Sequence, residues 1–487
     1  MQYLVWSLPA VAVVSLIATG WAKPTGAALT GAICALVVAF VASPSPFGPA
    51  QAITSIARGA WVGWIVVPYL FGGVLFWRVA MRDDTEGMRV AALPHDQRAR
   101  RRKLFAASFM VGPFAESATG FGVGIVGATS IIRTLGVKPI YLIAFSLLSQ
   151  TMVVWGAMGS GAVVAAAFAK TSPTSVALNA SVFVIAFHVL WLPLFWRLAA
   201  KAGLSATSLE LVSETLWLAA GLSLTIGATA LLGPEIAMLA AYGPLIMLRY
   251  VADERPSYRL ALSALQRAAP FILLITWLVL TRVLPSLRNS LFQVGRLAPF
   301  GEQTAWSPLF HAGSWLTVAA LITGYLRIKD FKLASEARAA WRTSRVAIFP
   351  AILFAIMAEI LSGSGIASAL AHGLFTALGE RAVVMTPVFS GLIGYLTNGG
   401  TAPNGLFMAS QVDLAMSAGL HLGSVIALQH VSGLIMSIFS PVRMSLACEL
   451  AAAPGREREA FRMMLPFAVA TLVMLFIAAA LIVARVI

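Results

Sequence analysis

Apolar runs of bilayer length recur from one end of this 487-residue sequence to the other, and a run of about 20 such residues is what a helix needs to cross a membrane. They fall at about 2–20, 26–43, 59–81, 104–131, 139–168, 176–196, 212–232, 235–250, 268–284, 311–326, 346–361, 382–396, 403–418, 422–442 and 463–484. Hydrocarbon offers no partner to backbone N–H and C=O groups, so runs this long fold as helices that satisfy their own. The expected fold is an all-α polytopic membrane protein with about 12–14 transmembrane helices, residues 1–487 forming one membrane-embedded domain. Only 11% of the residues are charged, against roughly 25% in soluble domains, which excludes a water-soluble globule.

The net charge of +15 is distributed as topology requires and not as a nucleic-acid face. Twenty of the 34 Lys and Arg lie in four segments, 82–103, 249–267, 327–345 and 456–462. Arg98, Arg100, Arg101, Arg102 and Lys103 crowd the first of them. The positive-inside rule assigns these segments to the cytoplasm. The uncharged Ser43–Pro49 stretch is then outside, and both termini are expected in the periplasm of a protein of the cell inner membrane. The first run lacks the basic start of a cleaved signal and reads as a retained span. Segment 285–310 is the longest non-cytoplasmic loop, with Leu, Phe and Trp spaced to lie along an interface as a strand or helix.

Two runs are broken. Glu116-Ser-Ala-Thr-Gly-Phe-Gly122 leads to Leu135-Gly136-Val137, a polar patch at Ser149-Gln150-Thr151 and a second break at Gly156–Gly161. Asn398-Gly-Gly-Thr-Ala-Pro-Asn404 leads by similar spacing to Ala418-Gly419-Leu420, a patch at Gln429-His430-Val-Ser432 and a break at Ser437–Arg443. Matching interruptions in two halves mark a transporter built from repeats. The expected repeat cores are 104–170 and 382–453, each with a re-entrant or interrupted helix region; the sequence does not give their relative orientation, and the habit of membrane transporters makes an inverted repeat the expectation.

A helix broken at bilayer depth frees backbone groups that only protein or a water-filled cavity can satisfy. Half-helix N-termini present N–H donors and the positive end of a dipole, which suits a small organic anion. The expected substrate-binding residues are Thr119, Gly120, Gly122, Ser149, Gln150, Thr401, Asn404, Gln429 and Arg443. Close helix packing is the other reading of the glycines, and snorkelling to the surface is the other reading of Arg443. Ionisable groups in apolar sequence are functional candidates by default. Glu116, Glu359 and His430 are the expected proton-coupling residues, with a buried ion pair or a helix cap as the structural alternative for either acid. Asp413 and Glu449 fit interfaces, and Glu214 and Glu235 lie nearer span ends. The histidines have no paired spacing for a metal, and Cys34 and Cys448 sit in apolar sequence as packing residues. No cofactor, nucleotide loop or catalytic constellation is visible, which points away from an enzyme.

At these residues the sequence resembles the L-lactate permease family, secondary transporters that move lactate and glycolate with protons. Gly112-Pro-Phe-Ala-Glu-Ser-Ala-Thr-Gly-Phe-Gly122 is similar to the family's Gly-Pro-Phe-x-Glu-Gly-x-x-Gly-Phe-Gly segment. The likeness continues through Lys138-Pro-x-Tyr141, Gly156-Ala-Met-Gly159, Thr397 to Phe407, Ser440-Pro441, Cys448, Gly455-Arg-Glu and Phe461-Arg462. It implies an ion-transporter-like architecture in which a domain with two re-entrant hairpins moves against a scaffold. It also implies proton-coupled symport of a small monocarboxylate, with membrane lipid as the surrounding partner and room for a homodimer that nothing in the sequence requires. Departures cluster at the second break. The family's Gly-Ser-Asp-Thr-Ser-Ser-Asn is replaced by Asn398–Asn404, which removes an acid at Gly400; Glu359 replaces an apolar residue, and Val442-Arg443 a Gln-Ser pair. Sodium coupling, a sulfonate or dicarboxylate cargo, and a passive anion channel therefore stay open as rivals.

Overall fold

The computed structural model describes residues 2–82, 96–120, 122–301 and 304–487. Part of the basic segment 82–103, Phe121 of the first broken motif and two residues of the 285–310 loop lie outside that range. Among the described residues the chain is helical throughout, with one isolated antiparallel bridge, Leu297 to Trp306.

Helices α1 (Gln2–Ala18), α2 (Pro24–Ala42) and α3 (Pro49–Ala80) open the chain. Pro24 and Pro49 stand in the first turns of α2 and α3, where a missing N–H leaves nothing unsatisfied. Helix α4 (Gln97–Ala106) runs through a π turn at Ala107–Val111 into α5 (Gly112–Thr119). Pro113 has no N–H to offer Phe109, and the widened turn closes instead from the Gly112 N–H to the Ala107 carbonyl, a substitution that relieves the lost bond. After a break come α6 (Val123–Arg133), α7 (Pro139–Leu147), two 3₁₀ turns at Leu148–Gln150 and Val153–Trp155, and α8 (Gly156–Ala169).

The middle of the chain is a set of long spans: α9 (Pro173–Lys201), α10 (Ser208–Leu232), α11 (Pro234–Glu254) and α12 (Tyr258–Val283). The expected outer loop begins as the short helix α13 (Pro285–Gln293). It is tied down by Ser307 Oγ on the Phe292 carbonyl (2.7 Å) and by Trp61 Nε1 on the Thr304 carbonyl (2.8 Å). Helices α14 (Ala312–Arg327), α15 (Leu333–Gly363) and α16 (Ile366–Leu378) follow. The last unit is α17 (Thr386–Thr397), a break, α18 (Thr401–Ala418), α19 (Leu422–Met436), a 3₁₀ turn at Ser437–Phe439, α20 (Pro441–Leu450) and the final span α21 (Glu457–Val483).

Among the described residues nine helices are long and apolar enough to cross a membrane, α19 with α20 counting as one, and ten if α7 and α8, bent by 62°, form a single span. The other apolar runs are the short or broken helices. The two broken units share one element order: helix, break, helix, glycine turn, helix, 3₁₀ turn, helix.

Three of the four basic segments, 82–103, 249–267 and 327–345, come together at one end of the bundle. Arg78 at the end of α3 pairs with Glu336 at the start of α15 (3.1 Å), Lys103 of α4 pairs with Glu254 of α11 (3.2 Å), and Arg327 of α14 reaches the Gln266 carbonyl of α12. Helix α3 is the central strut. It touches α5 so closely at Gly73 that a Cβ there would lie 2.4 Å from the Ala118 carbonyl oxygen, the kind of approach small residues permit between membrane helices.

Candidate functional site

The first break is a left-handed turn. Gly120 and Gly122 have φ of +73° and +82°, values that glycine adopts without the Cβ penalty other residues incur. Gly122 is the N-cap of α6 and has no side chain with which to cap it. Glu116, one helix earlier, does so instead: its carboxylate accepts the Gly122 N–H at 3.1 Å and the Gly124 N–H at 3.0 Å. Those N–H groups have no partner inside α6, and a carboxylate at a helix N-terminus also meets the positive end of the dipole. One of the two half-helix N-termini is thus already occupied by the chain's own acid.

The second break is built differently. Asn398 takes the left-handed conformation (φ +60°), which asparagine tolerates better than most residues, and its Oδ1 accepts the Ser440 hydroxyl at 2.8 Å. Gly400 is the N-cap of α18, and no side chain caps that helix. Its N-terminus stays open.

Between the breaks lies a cavity of about 100 Å³. Glu116 and Gly120 contribute from the first break, Asn398, Gly399, Gly400 and Thr401 from the second, and Arg443 from α20. Gly156, Ala157, Ser160 and Gly161 of α8 form another wall, with Leu434 of α19, and Val66 and Leu70 of α3 with Ala347 and Ala351 of α15 close it. The α8 wall is strained: Ala157, Met158 and Gly159 are three consecutive residues at φ of +47°, +54° and +66°. Each non-glycine residue held there costs about 1–2 kcal/mol, and such strain collects at functional sites.

Arg443 brings a guanidinium to the wall of the cavity. It is 8% exposed, and its Nε and Nη1 have no hydrogen-bond partner among the described residues. Its backbone N–H donates to the Ser440 hydroxyl at 3.2 Å, which fixes the start of α20, and Glu116 lies close enough to interact with its charge. A buried guanidinium with unfilled donors is costly, and a planar carboxylate is its natural complement.

Of the residues singled out from sequence, Glu116, Gly120, Thr401 and Arg443 line this one cavity. The polar patches stand behind it. Asn404 Nδ2 meets His430 Nδ1 at 2.9 Å, and Gln429 Nε2 donates to the Pro403 carbonyl at 2.9 Å, so α19 is fastened to the second break. Gln150 Nε2 donates to Ser149 Oγ at 3.2 Å behind the first break. Thr119 turns its hydroxyl to the carbonyls of Ala115 (2.9 Å) and Gly120 (3.2 Å), and Gly122 serves as the α6 cap. Glu359 is not on the wall; it is ion-paired at 3.2 Å with Arg58 of α3. Ser160 and Asn398 lie in breaks legible in the sequence but were not among the expected binding residues, and Val66 and Leu70 of α3 with Ala347 and Ala351 of α15 went unnoticed. A broken helix at Gly156–Gly161 was the available signal for Ser160, whereas ordinary apolar side chains on α3 and α15 carry none.

Arg101 has a partner that the sequence did not name. From sequence it is one of the cytoplasmic basic cluster, and Glu214 lies nearer a span end. The fold turns Arg101 inward and pairs it with Glu214 through Nε–Oε1 at 2.7 Å and Nη2–Oε2 at 2.8 Å, both side chains being buried.

The L-lactate permease family model matches residues 284–487, from the outer loop to the final span. An L-lactate permease of Escherichia coli K12 is 24% identical over 487 residues, covering 88% of this chain and 86% of that protein. An L-lactate permease of Bacillus subtilis 168 is 21% identical over 502 residues, and a glycolate permease of Escherichia coli K12 is 23% identical over 505, each with the same coverage. The Gly112–Gly122 motif in the first half, the family model over the second and relatives aligned across both make this chain similar to the L-lactate permease family along most of its length.

Proposed function

We propose that this protein is a secondary active transporter that carries a small monocarboxylate, L-lactate, D-lactate or glycolate, together with protons across the inner membrane. One observation carries the reading: the unpartnered guanidinium of Arg443 and the uncapped N-terminus of α18 line the same small cavity. A carboxylate placed between them meets a fork of N–H donors on one side and a helix dipole on the other. Ser160 and Thr401 line the same cavity with hydroxyls that suit a 2-hydroxy acid. The lactate and glycolate permeases to which the chain is similar support that substrate class.

Glu116, on the cavity wall, is the first choice for the coupling proton, with His430 behind the second break and Glu359 at the Arg58 pair as further carriers. In this scheme 104–170 and 382–453 are the moving inverted repeats and the long spans the scaffold, with both termini in the periplasm; a homodimer is compatible with it. A second reading, sodium coupling, draws on Gln150 Oε1, Thr151 Oγ1, Asn404 Oδ1 and Gln429 Oε1, buried oxygens in both broken units without a partner among the described residues. Oxygen is the ligand hard cations take.

Uptake of radiolabelled lactate and glycolate into proteoliposomes, under proton and sodium gradients imposed separately, tests this. Accumulation above equilibrium under the proton gradient is expected, lost in Glu116→Gln. Arg443→Gln should raise KM by about tenfold to a hundredfold, the worth of one charged hydrogen-bonding group. Uptake that follows only sodium overturns the proton assignment, and uptake that stops at equilibrium makes the protein a channel.

A further inference from the structure

Away from the transport cavity, a groove of about 410 Å³ lies where α4 and the π turn face the C-terminal part of α11. Its rim is charged and its floor apolar. Arg102 and Lys103 of α4 and Arg249 of α11 stand at the rim, and Ala106, Met110 and Ile246 line the floor. Two acids share the rim: Asp253 takes Arg249 Nε at 2.9 Å and lies 3.9 Å from Arg102, and Glu254 lies 3.2 Å from Lys103. Among the described residues, three cations against two carboxylates leave a single positive charge in excess.

Arg249 marks this as a built site. It is 4% exposed, its guanidinium is held over the rings of Phe105 (4.9 Å) and Trp217 (5.2 Å), and its Nη1 has no partner among the described residues. A fixed, buried guanidinium with an unfilled donor at the edge of an apolar groove asks for an anion that brings hydrocarbon with it. The surroundings say where that ligand comes from. Leu248 and Val251, on the face of α11 next to the groove, are 60% and 52% exposed, so the helix meets lipid beside it. The groove also sits at the end of the bundle where the basic segments gather, the side on which basic pockets between membrane helices meet anionic headgroups.

We infer that this groove binds an anionic glycerophospholipid, its phosphodiester on Arg249, Arg102 and Lys103 and one acyl chain along Ala106, Met110 and Ile246. The single negative charge of a phosphatidylglycerol matches the single surplus cation, whereas a zwitterionic lipid adds a positive group to an already positive rim. The occupant bridges α11 to the helix that continues through the π turn to Glu116. Lipid binding here is independent of what the central cavity carries.

Native mass spectrometry of the full-length protein, equilibrated with an equimolar mixture of phosphatidylglycerol and phosphatidylcholine, tests the assignment. The wild type is expected to retain phosphatidylglycerol preferentially. Arg102→Gln with Lys103→Gln, changes at solvent-reaching side chains that leave the fold intact, should cut that preference about tenfold. Ala106→Trp, which fills the floor and keeps every cation, should abolish lipid retention at the site. Equal retention of the two lipids by the wild type, or a preference that survives both variants, overturns the inference. Displacement of the bound lipid by inorganic phosphate also overturns it, because the groove is then a site for small anions.

Discussion

Arg101 shows how much one side chain can change its meaning on folding. Its guanidinium grips both oxygens of Glu214, donates to the Leu204 carbonyl at 2.9 Å and lies 4.7 Å from the centre of the Phe195 ring, while Trp196 Nε1 donates to Glu214 at 2.8 Å. Every strong donor and acceptor there is filled, so loss of either partner strands a buried charge. Arg101→Met should destabilise the protein by about 3–5 kcal/mol. Combining it with Glu214→Leu should recover most of that loss, since an apolar pair of similar volume is close to neutral. Thermal unfolding in detergent checks both; a double variant no more stable than the single one refutes the pair as the cause. The same logic distinguishes Arg443, whose unfilled donors line a cavity. One buried arginine is satisfied by the fold, and the other keeps two donors unfilled among the described residues.

At the scale of elements, the two broken units share an order and differ in how their breaks are finished. The first is closed by Glu116 across Gly122 and Gly124, and the second is left open at Gly400. The first break also leans on the strained α8 wall: a Cβ at Gly120 would sit 2.7 Å from the Ala157 Cβ. Gly120→Ala therefore combines a clash with a left-handed backbone costing about 1–2 kcal/mol, and should lower both thermal stability and uptake. Ala157→Gly should be nearly neutral, because relief of its own left-handed strain offsets the greater freedom of glycine in the unfolded chain. In the double variant the clash is gone and the strain remains, so partial recovery of the melting temperature is expected. Full recovery would mean that backbone strain contributes nothing.

For the whole molecule, the convergence of the basic segments on one end makes the proposed orientation testable. In a background of Cys34→Ser and Cys448→Ala, a thiol at the exposed Ser257→Cys, on the basic end, should react with a membrane-impermeant maleimide only after cells are opened. The exposed Ser45→Cys, between α2 and α3, should react in intact cells. The reverse pattern would invert the topology. The sequence made this end legible because charge is expelled from hydrocarbon wherever the helices pack. Long apolar runs were legible for the same reason, the 139–168 run and its break at Gly156–Gly161 among them, whereas the 62° angle of the bend was not.

The candidate site divides along the same line. The breaks at Gly120–Gly122 and Asn398–Gly400 could be read directly, since glycine and asparagine are the residues that adopt left-handed turns at low cost. Which acid serves as a cap could not be read, because Glu116 and Glu359 look alike in apolar sequence. Packing made one the N-cap of α6 and gave the other to Arg58. Val66 and Ala351 became cavity walls only by proximity. The sequence by itself determined a helical membrane protein with two interrupted regions and one positive end, because hydrocarbon imposes those choices on each segment separately. Only the tertiary structure decided that Arg443 and the open end of α18 share a cavity while Arg101 is sealed away, since which charges meet is a property of helices packed together.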